Sequence, residues 1–114
     1  MVERDQEQLS LVLKAASDPT RRAILTILVQ EGPARVTDLA NRFEISLNAV
    51  SKHIRTLEGA GLVSRKKDWR EHLIAAEMGP TRLIEEWFSD LRSIWDMRLE
   101  RLETLLEEED DHDH

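Results

Sequence analysis

The stretch from Thr37 to Leu57, TDLANRFEISLNAVSKHIRTL, decides how the rest of the chain is read. Its first part, through Leu39, Ala40 and Phe43, has the spacing of a short amphipathic helix with Thr37 as its cap. Glu44-Ile45 makes a tight connection. Ser46 then caps a second helix that sets Ala49, Val50, Ile54 and Leu57 on one face and Asn48, Ser51, Lys52 and Arg55 on the other. Two helices joined by about three residues have the layout of a helix-turn-helix, whose second helix enters the major groove with its N-terminal half foremost. Asn48 can offer both donor and acceptor to a base edge, and Ser51 can reach base or phosphate. Lys52 and Arg55 supply cationic donors. Ser46 and Leu47, at the leading end of the same helix, join the candidate contacts. Two helices of a small bundle would read the same way, since short helix pairs are common.

Moving towards the C-terminus, Gly59 and Gly61 close that helix and Leu62, Val63 and Ser64 read as a strand. The polar run Arg65-Lys66-Lys67-Asp68-Trp69-Arg70 reads as a turn, and His72 to Ala76 as the returning strand. The hairpin over 62–76 would form a wing, with Arg65, Lys66, Lys67 and Arg70 near its tip to touch backbone or minor groove. Towards the N-terminus, Asp18-Pro19 marks a helix start, because aspartate caps and proline has no N–H to satisfy in the first turn. That helix runs through Ala23, Ile24, Ile27 and Leu28 and stops at Gly32-Pro33. Ala34 to Val36 suggests one short strand. Before it, Gln6 to Ala16 repeats apolar residues at Leu9, Val12, Leu13 and Ala16, which is a short amphipathic helix.

After Met78-Gly79-Pro80 a last helix is expected from Thr81 to Glu107, roughly 40 Å long. Its stripe of Leu83, Ile84, Trp87, Phe88, Leu91, Ile94, Trp95, Leu99, Leu102, Leu105 and Leu106 is broader than a domain-facing strip needs. Leu91, Ile94, Trp95, Leu99 and Leu102 therefore become a candidate dimer interface, with Leu9, Val12 and Leu13 of the first helix as their neighbours on the mate. Residues 108–114 read as an acidic disordered tail. The expectation is a mostly α (α+β) fold: one winged helix-turn-helix domain over 1–107, with the helix-turn-helix at 37–58, a two-stranded β-wing and a long terminal dimerisation helix.

A chain of 114 residues fits one domain. The absence of cysteine excludes a disulfide framework and thiolate zinc sites. No apolar run approaches the roughly 18 residues of a membrane span, and Met1 to Gln8 lacks the apolar core of a signal peptide, so a cytoplasmic protein is expected. The net charge of −7 taken alone argues against nucleic acid. Its distribution argues otherwise: −1 over 1–46, +3 over 47–76 and −9 over 77–114. A basic middle can face phosphates, because exposed charges act within a Debye length of about 8–10 Å.

The chain resembles the ArsR/SmtB family of bacterial winged helix-turn-helix repressors. The residues that carry the likeness are Ala15 to Leu25, Thr37-Asp38-Leu39-Ala40, Ile45-Ser46 with Ala49-Val50-Ser51-Lys52-His53-Ile54 and Leu57, and Ala60-Gly61-Leu62-Val63, all in order and spacing. The resemblance covers about Leu9 to Leu106 and implies a homodimer, joined by its terminal helices, that represses by occupying an operator in double-stranded DNA. Two departures stand out: Trp69 replaces the glycine expected at the wing tip, and the returning strand has no tyrosine. The family's metal sites need a cysteine pair near Val36 to Ala40, or histidines on the last helix; neither is present between Thr81 and Glu107. Regulation through cysteine-held metal is thus not expected, no cofactor is implied, and the resemblance names no small-molecule effector.

Asp110-Asp111-His112-Asp113-His114 holds ligands that suit zinc or nickel, but a helix would set its two histidines on different faces, and a solvated acidic tail is the plainer reading. His53 sits between the base-facing and core-facing sides, suited to packing or backbone support and to a DNA contact; it is counted among the candidate contacts. His72 reads as an exposed wing residue or a phosphate contact. Trp87 and Trp95 fit core or dimer packing before a ligand pocket. No Gly-rich phosphate loop or nucleophile elbow supports an enzyme. The rival to a DNA-binding repressor is a dimeric interaction module, such as an antirepressor, that kept the fold and lost DNA binding.

Overall fold

The computed structural model describes residues 2–68 and 70–112. Among these, the elements in order are α1 (Val2–Ala16), α2 (Pro19–Glu31), α3 (Val36–Phe43), α4 (Leu47–Gly59), β1 (Val63–Asp68), β2 (Glu71–Ala76) and α5 (Thr81–His112). Residues up to Ile84 form one compact unit, and α5 from Glu85 onwards forms a second. This is the winged helix-turn-helix expected from the sequence.

Local chemistry explains most boundaries. Asp18 caps α2, its carboxylate accepting the Arg21 N–H at 3.0 Å, and Pro19 opens the helix. Gly32 ends α2 at φ 90°, a conformation that disfavours any side chain, and donates its N–H to the Leu28 carbonyl. Ser46 caps α4 by accepting the Ala49 N–H at 3.1 Å. Between α3 and α4 the chain reverses through Glu44, which holds a left-handed conformation at φ 55°. Such a residue costs roughly 1–2 kcal/mol, which the packing on either side must offset.

The structure corrects the expected boundaries at several points. Thr37 is not a cap: α3 begins one residue earlier, with Arg35 in the cap position and no side-chain cap bond. Arg35 instead reaches forward to Asp38 at 3.1 Å. The strand expected over Ala34 to Val36 shrinks to a single bridge, Ala34 exchanging both backbone bonds with Ile74 at 3.0 and 2.8 Å. α1 starts at Val2 rather than Gln6, its Glu3 and Asp5 favoured by the helix dipole. α5 passes Glu107 and continues to His112, because the acidic run contains no glycine or proline and glutamate forms helix well. Asp113 and His114, also assigned to a disordered tail, lie outside the described residues.

The strands of the hairpin are longer than expected. The register pairs Val63 with Ala76, Arg65 with Ile74 and Asp68 with Glu71. Arg65, Lys66 and Lys67 therefore lie along β1 and not at the tip, since ladder bonds use backbone groups whatever the side chain. Trp69, whose departure from the family's wing was noted, lies outside the described residues.

Every element up to β2 feeds one core. Val12 of α1, Ile24 of α2, Leu39 of α3, Val50, Ile54 and Leu57 of α4 and Ile74 of β2 are each at most 1 % exposed. Leu83 is buried as well, and Ile84 packs against the cluster. From Glu85 to Glu109, by contrast, every residue is exposed.

The α1–α2 corner is fastened by two arginines. Arg21 donates to the carbonyls of Ala15 at 2.8 Å and Lys14 at 3.0 Å, and Arg22 donates to that of Ala16 at 2.6 Å. They satisfy the last orphan carbonyls of α1. The Arg21 N–H bond also holds the Asp18 carboxyl below its ordinary value of 3.8, with the Arg21 charge adding to it. A depressed folded-state pKa means the charge stabilises fully above pH 3.8 and that this is lost as pH falls through the lower value. Asp18→Asn keeps a capping side chain but removes the charge. The variant should unfold more easily than the parent at pH 7, and the gap should close below pH 3.8, as read by urea denaturation at both values.

A candidate nucleic-acid interface on α4 and the hairpin

α4 divides by angle. At about 100° per residue, Val50, Ile54 and Leu57 share one side and Ser51, Arg55, Asn48 and Lys52 share an arc of about 100° on the other. The first group is fully buried; Asn48, Lys52 and Arg55 are exposed and Ser51 is half-buried. Arg55 leans back along its own helix, its Nε donating to the Ser51 carbonyl at 3.4 Å. Leu47, half exposed at the leading end, presents an apolar side chain beside Asn48. Ser46 sits there too, its Oγ accepting a backbone N–H while its hydroxyl proton stays available to donate.

His53 does not belong to this arc. It lies about 100° beyond Lys52, on the flank of the buried side. Its Nδ1 is 3.4 Å from an Arg21 guanidinium nitrogen and 4.0 Å from the Asp18 carboxylate. These contacts tie α4 to the α1–α2 corner, the packing or backbone support that the sequence also suggests for this histidine. Arg21 was missed as a site-shaping residue; two cations in the first turn after a helix break were the available signal.

The hairpin cations separate in the same way. Arg65 pairs with Glu58 of α4, its Nε 3.1 Å from the carboxylate. That pair is exposed, so it is worth at most about 1 kcal/mol, yet it ties the strand to the helix through Nε. Lys66, Lys67 and Arg70 are exposed and make no ion pair among the described residues. His72 is exposed on β2, paired in register with Lys67. The structure therefore groups Asn48, Ser51, Lys52 and Arg55 on one helix face, leaves Lys66, Lys67 and Arg70 open on the hairpin, and gives His53 and Arg65 partners within the chain.

The residues expected at a dimer interface also divide. Val12 is 1 % exposed in the core of its own chain, because it is the innermost position of the α1 stripe. Leu9 is half-buried, and Leu13 is partly open. Leu91, Ile94, Trp95, Leu99 and Leu102 are all exposed. Among the described residues no group of three or more His, Asp or Glu side chains could hold a metal ion, and no helix is long and apolar enough to cross a membrane.

Comparison with known proteins agrees with this geometry. Residues 16–65 match the family model described as a helix-turn-helix domain. The transcriptional repressor SdpR of Bacillus subtilis is 43 % identical over 53 residues, 46 % of this chain and 58 % of that protein. The chain spans between 46 % and 64 % of the length of the curated relatives it matches. Among solved structures, an ArsR-like transcriptional regulator from Rhodococcus sp. RHA1 is 30 % identical with a TM-score of 0.81, over 94 % of this chain and 97 % of that one. The homodimeric winged helix-turn-helix DNA-binding domain of a possible ArsR-family regulator from Mycobacterium bovis is 25 % identical with a TM-score of 0.61, over 84 % and 85 % of the two chains.

The arc on α4 exists only while its other side stays buried. Ile54, at the centre of that side, has no exposure. Ile54→Ala should lower the unfolding free energy by about 2–5 kcal/mol in chemical denaturation. A loss under about 1 kcal/mol would mean that α4 is not anchored as described.

Proposed function

The chain belongs to the ArsR/SmtB family of winged-helix transcriptional regulators, and we propose that within it the protein is a homodimeric repressor that reads a pseudo-palindromic operator in double-stranded DNA. One observation carries the reading. The outward arc of α4 holds Asn48, Ser51, Lys52 and Arg55 and no apolar side chain, opposite a face that is fully buried. That is the residue set a major groove requires: an amide and a hydroxyl for base edges, and cations for phosphates. Leu47 would meet a thymine methyl, and the Ser46 hydroxyl a phosphate. Lys66, Lys67 and Arg70 of the hairpin add backbone contacts beside the helix.

The homodimer reading rests on the exposed apolar side chains of α5, and on the homodimeric state of the relative from Mycobacterium bovis. Leu91, Ile94, Trp95, Leu99 and Leu102 form the proposed interface, with Leu9 and Leu13 of α1 as their neighbours on the mate. Two recognition helices related by a two-fold axis read half-sites about one DNA turn, roughly 34 Å, apart. The role is regulatory and not enzymatic, is exercised in the cytoplasm, and does not run through cysteine-held metal, since the chain has no cysteine. The net charge of −7 favours a second reading, a dimeric interaction module that no longer binds DNA.

A salt titration separates the two. On a DNA-binding repressor, log affinity falls with log salt by about 0.9 for each phosphate neutralised. Lys52→Ala with Arg55→Ala should flatten that slope by about 2–4 per dimer, depending on whether one or both cations meet phosphate. Asn48→Ala should instead cost about 1–3 kcal/mol on the operator and little on random duplex. An unchanged slope and affinity in the double variant would remove α4 from the interface, and no measurable binding by the parent chain would favour the interaction module.

A further inference from the structure

His53 stands between two partners that ask for opposite protonation of its ring. Arg21 is engaged at every guanidinium nitrogen: Nε donates to the Ala15 carbonyl at 2.8 Å, Nη2 to the Lys14 carbonyl at 3.0 Å, and Nη1 faces Nδ1 of His53 at 3.4 Å. A guanidinium has only protons to offer, so this last contact is a hydrogen bond only while Nδ1 carries a lone pair. The Asp18 carboxylate, 4.0 Å from the same nitrogen, has only lone pairs to offer once ionised. The Arg21 N–H bond holds its carboxyl below 3.8, so it is charged wherever a histidine ordinarily titrates. We infer that His53 is a proton-dependent latch on α4. Neutral, it accepts from Arg21 and holds the helix in its reading position; protonated, it leaves Arg21 and donates to Asp18. The inference rests on the DNA-reading proposal above and adds its regulation by pH.

Protonation sets an N–H against an N–H and two like charges 3.4 Å apart. Arg21 cannot retreat without giving up the carbonyls that end α1, so the histidine ring moves. Closing the 4.0 Å gap to Asp18 to a charge-assisted bond of about 2.8 Å takes a shift of roughly 1 Å. Ser51, Lys52 and Arg55 lie within two residues of His53, and a reading surface loses its fit when its support slips by that much. The other charges at this junction do not compete for the role. Lys14 of α1, Arg22 of α2 and Lys52 of α4 are of types that keep their charge from pH 5 to 8. Around the rest of α4, Arg42 is paired with Glu31 and Arg65 with Glu58.

Two measurements on the full-length protein test the latch at about pH 7.5 and pH 5.5, either side of the ordinary histidine range. Long-range proton–nitrogen NMR correlations, assigned by comparison with His53→Asn, show which ring nitrogen carries the proton. Nδ1 should be bare in the neutral ring, and a neutral ring protonated there would overturn the inference. Affinity is then measured for the duplex most enriched from a random library and for a scrambled duplex of equal length. In the parent chain the ratio of the two should fall about tenfold on acidification, the worth of one hydrogen bond to a charged group. His53→Asn, of similar helix propensity, sets an amide oxygen near the place of Nδ1 and should keep the neutral ratio at both pH values. His53→Phe keeps a ring but no acceptor and should show the lowered ratio at both; a histidine that only packs would leave it at the parent's neutral ratio. Urea denaturation checks that each variant is folded. A parent ratio that ignores pH, or a fall that persists in His53→Asn, overturns the latch. A chain that enriches no duplex overturns the DNA-reading proposal instead, and the NMR titration still decides the protonation of His53.

Discussion

Burial of Val50, Ile54 and Leu57 along one side of α4 is the constraint on which the other features depend. Each such aliphatic side chain contributes about 1.5–3 kcal/mol when withdrawn from water, so rotating the helix would forfeit several of these at once. With that side fixed against α1, α2, α3 and β1, the opposite arc has no freedom about which residues it shows. The Arg21–His53 contact and the Asp18 carboxylate then tie the helix to the α1–α2 corner at 3.4 and 4.0 Å. Glu58 ties it to β1 from the other flank. α4 is thus held by packing on one side and by polar ties at its edges, which is how a rigid element presents a reading surface.

The cations sort by what they are asked to hold. Arg35, Arg42 and Arg65 each pair with a carboxylate, while Arg21 and Arg22 bind helix carbonyls. Lys52, Lys66 and Lys67 make no ion pair among the described residues. Both a guanidinium and an ammonium bind phosphate, so these lysines, with Arg70, are unpaired cations open to a phosphate backbone. The acidity that makes the whole chain −7 lies mostly beyond residue 77, so the +3 of residues 47–76 is a property of the proposed reading surface. Acidic ends also discourage non-specific adhesion to other polyanions.

What the sequence revealed was local. Asp18 and Ser46 were readable as caps because a capping oxygen bonds a backbone N–H only three residues away. The two faces of α4 were readable because helical periodicity alone separates Val50 from Lys52. The misses needed tertiary distances. The partners of His53 and Arg65 lie 32 and 7 residues away, beyond what a local pattern announces. Val12 and Leu13 are neighbours on one stripe, and only the packing of α1 shows that the first is consumed by its own chain while the second stays open. Thr37 lost its capping role to a helix start one residue earlier, within the usual uncertainty of helix ends. Lys66 and Lys67 lie in β1 and not in the turn because register, which decides this, is set by pairing and not by polarity.

The most direct test is to pass a random duplex library over the full-length protein and sequence what is retained. If the arc of Asn48, Ser51, Lys52 and Arg55 reads DNA as a two-fold pair, one inverted repeat should be enriched, with half-sites centred about 10 base pairs apart or a multiple of that spacing. Retention of fragments without a shared repeat, at an affinity set by salt alone, would contradict the claim that this face of α4 reads sequence.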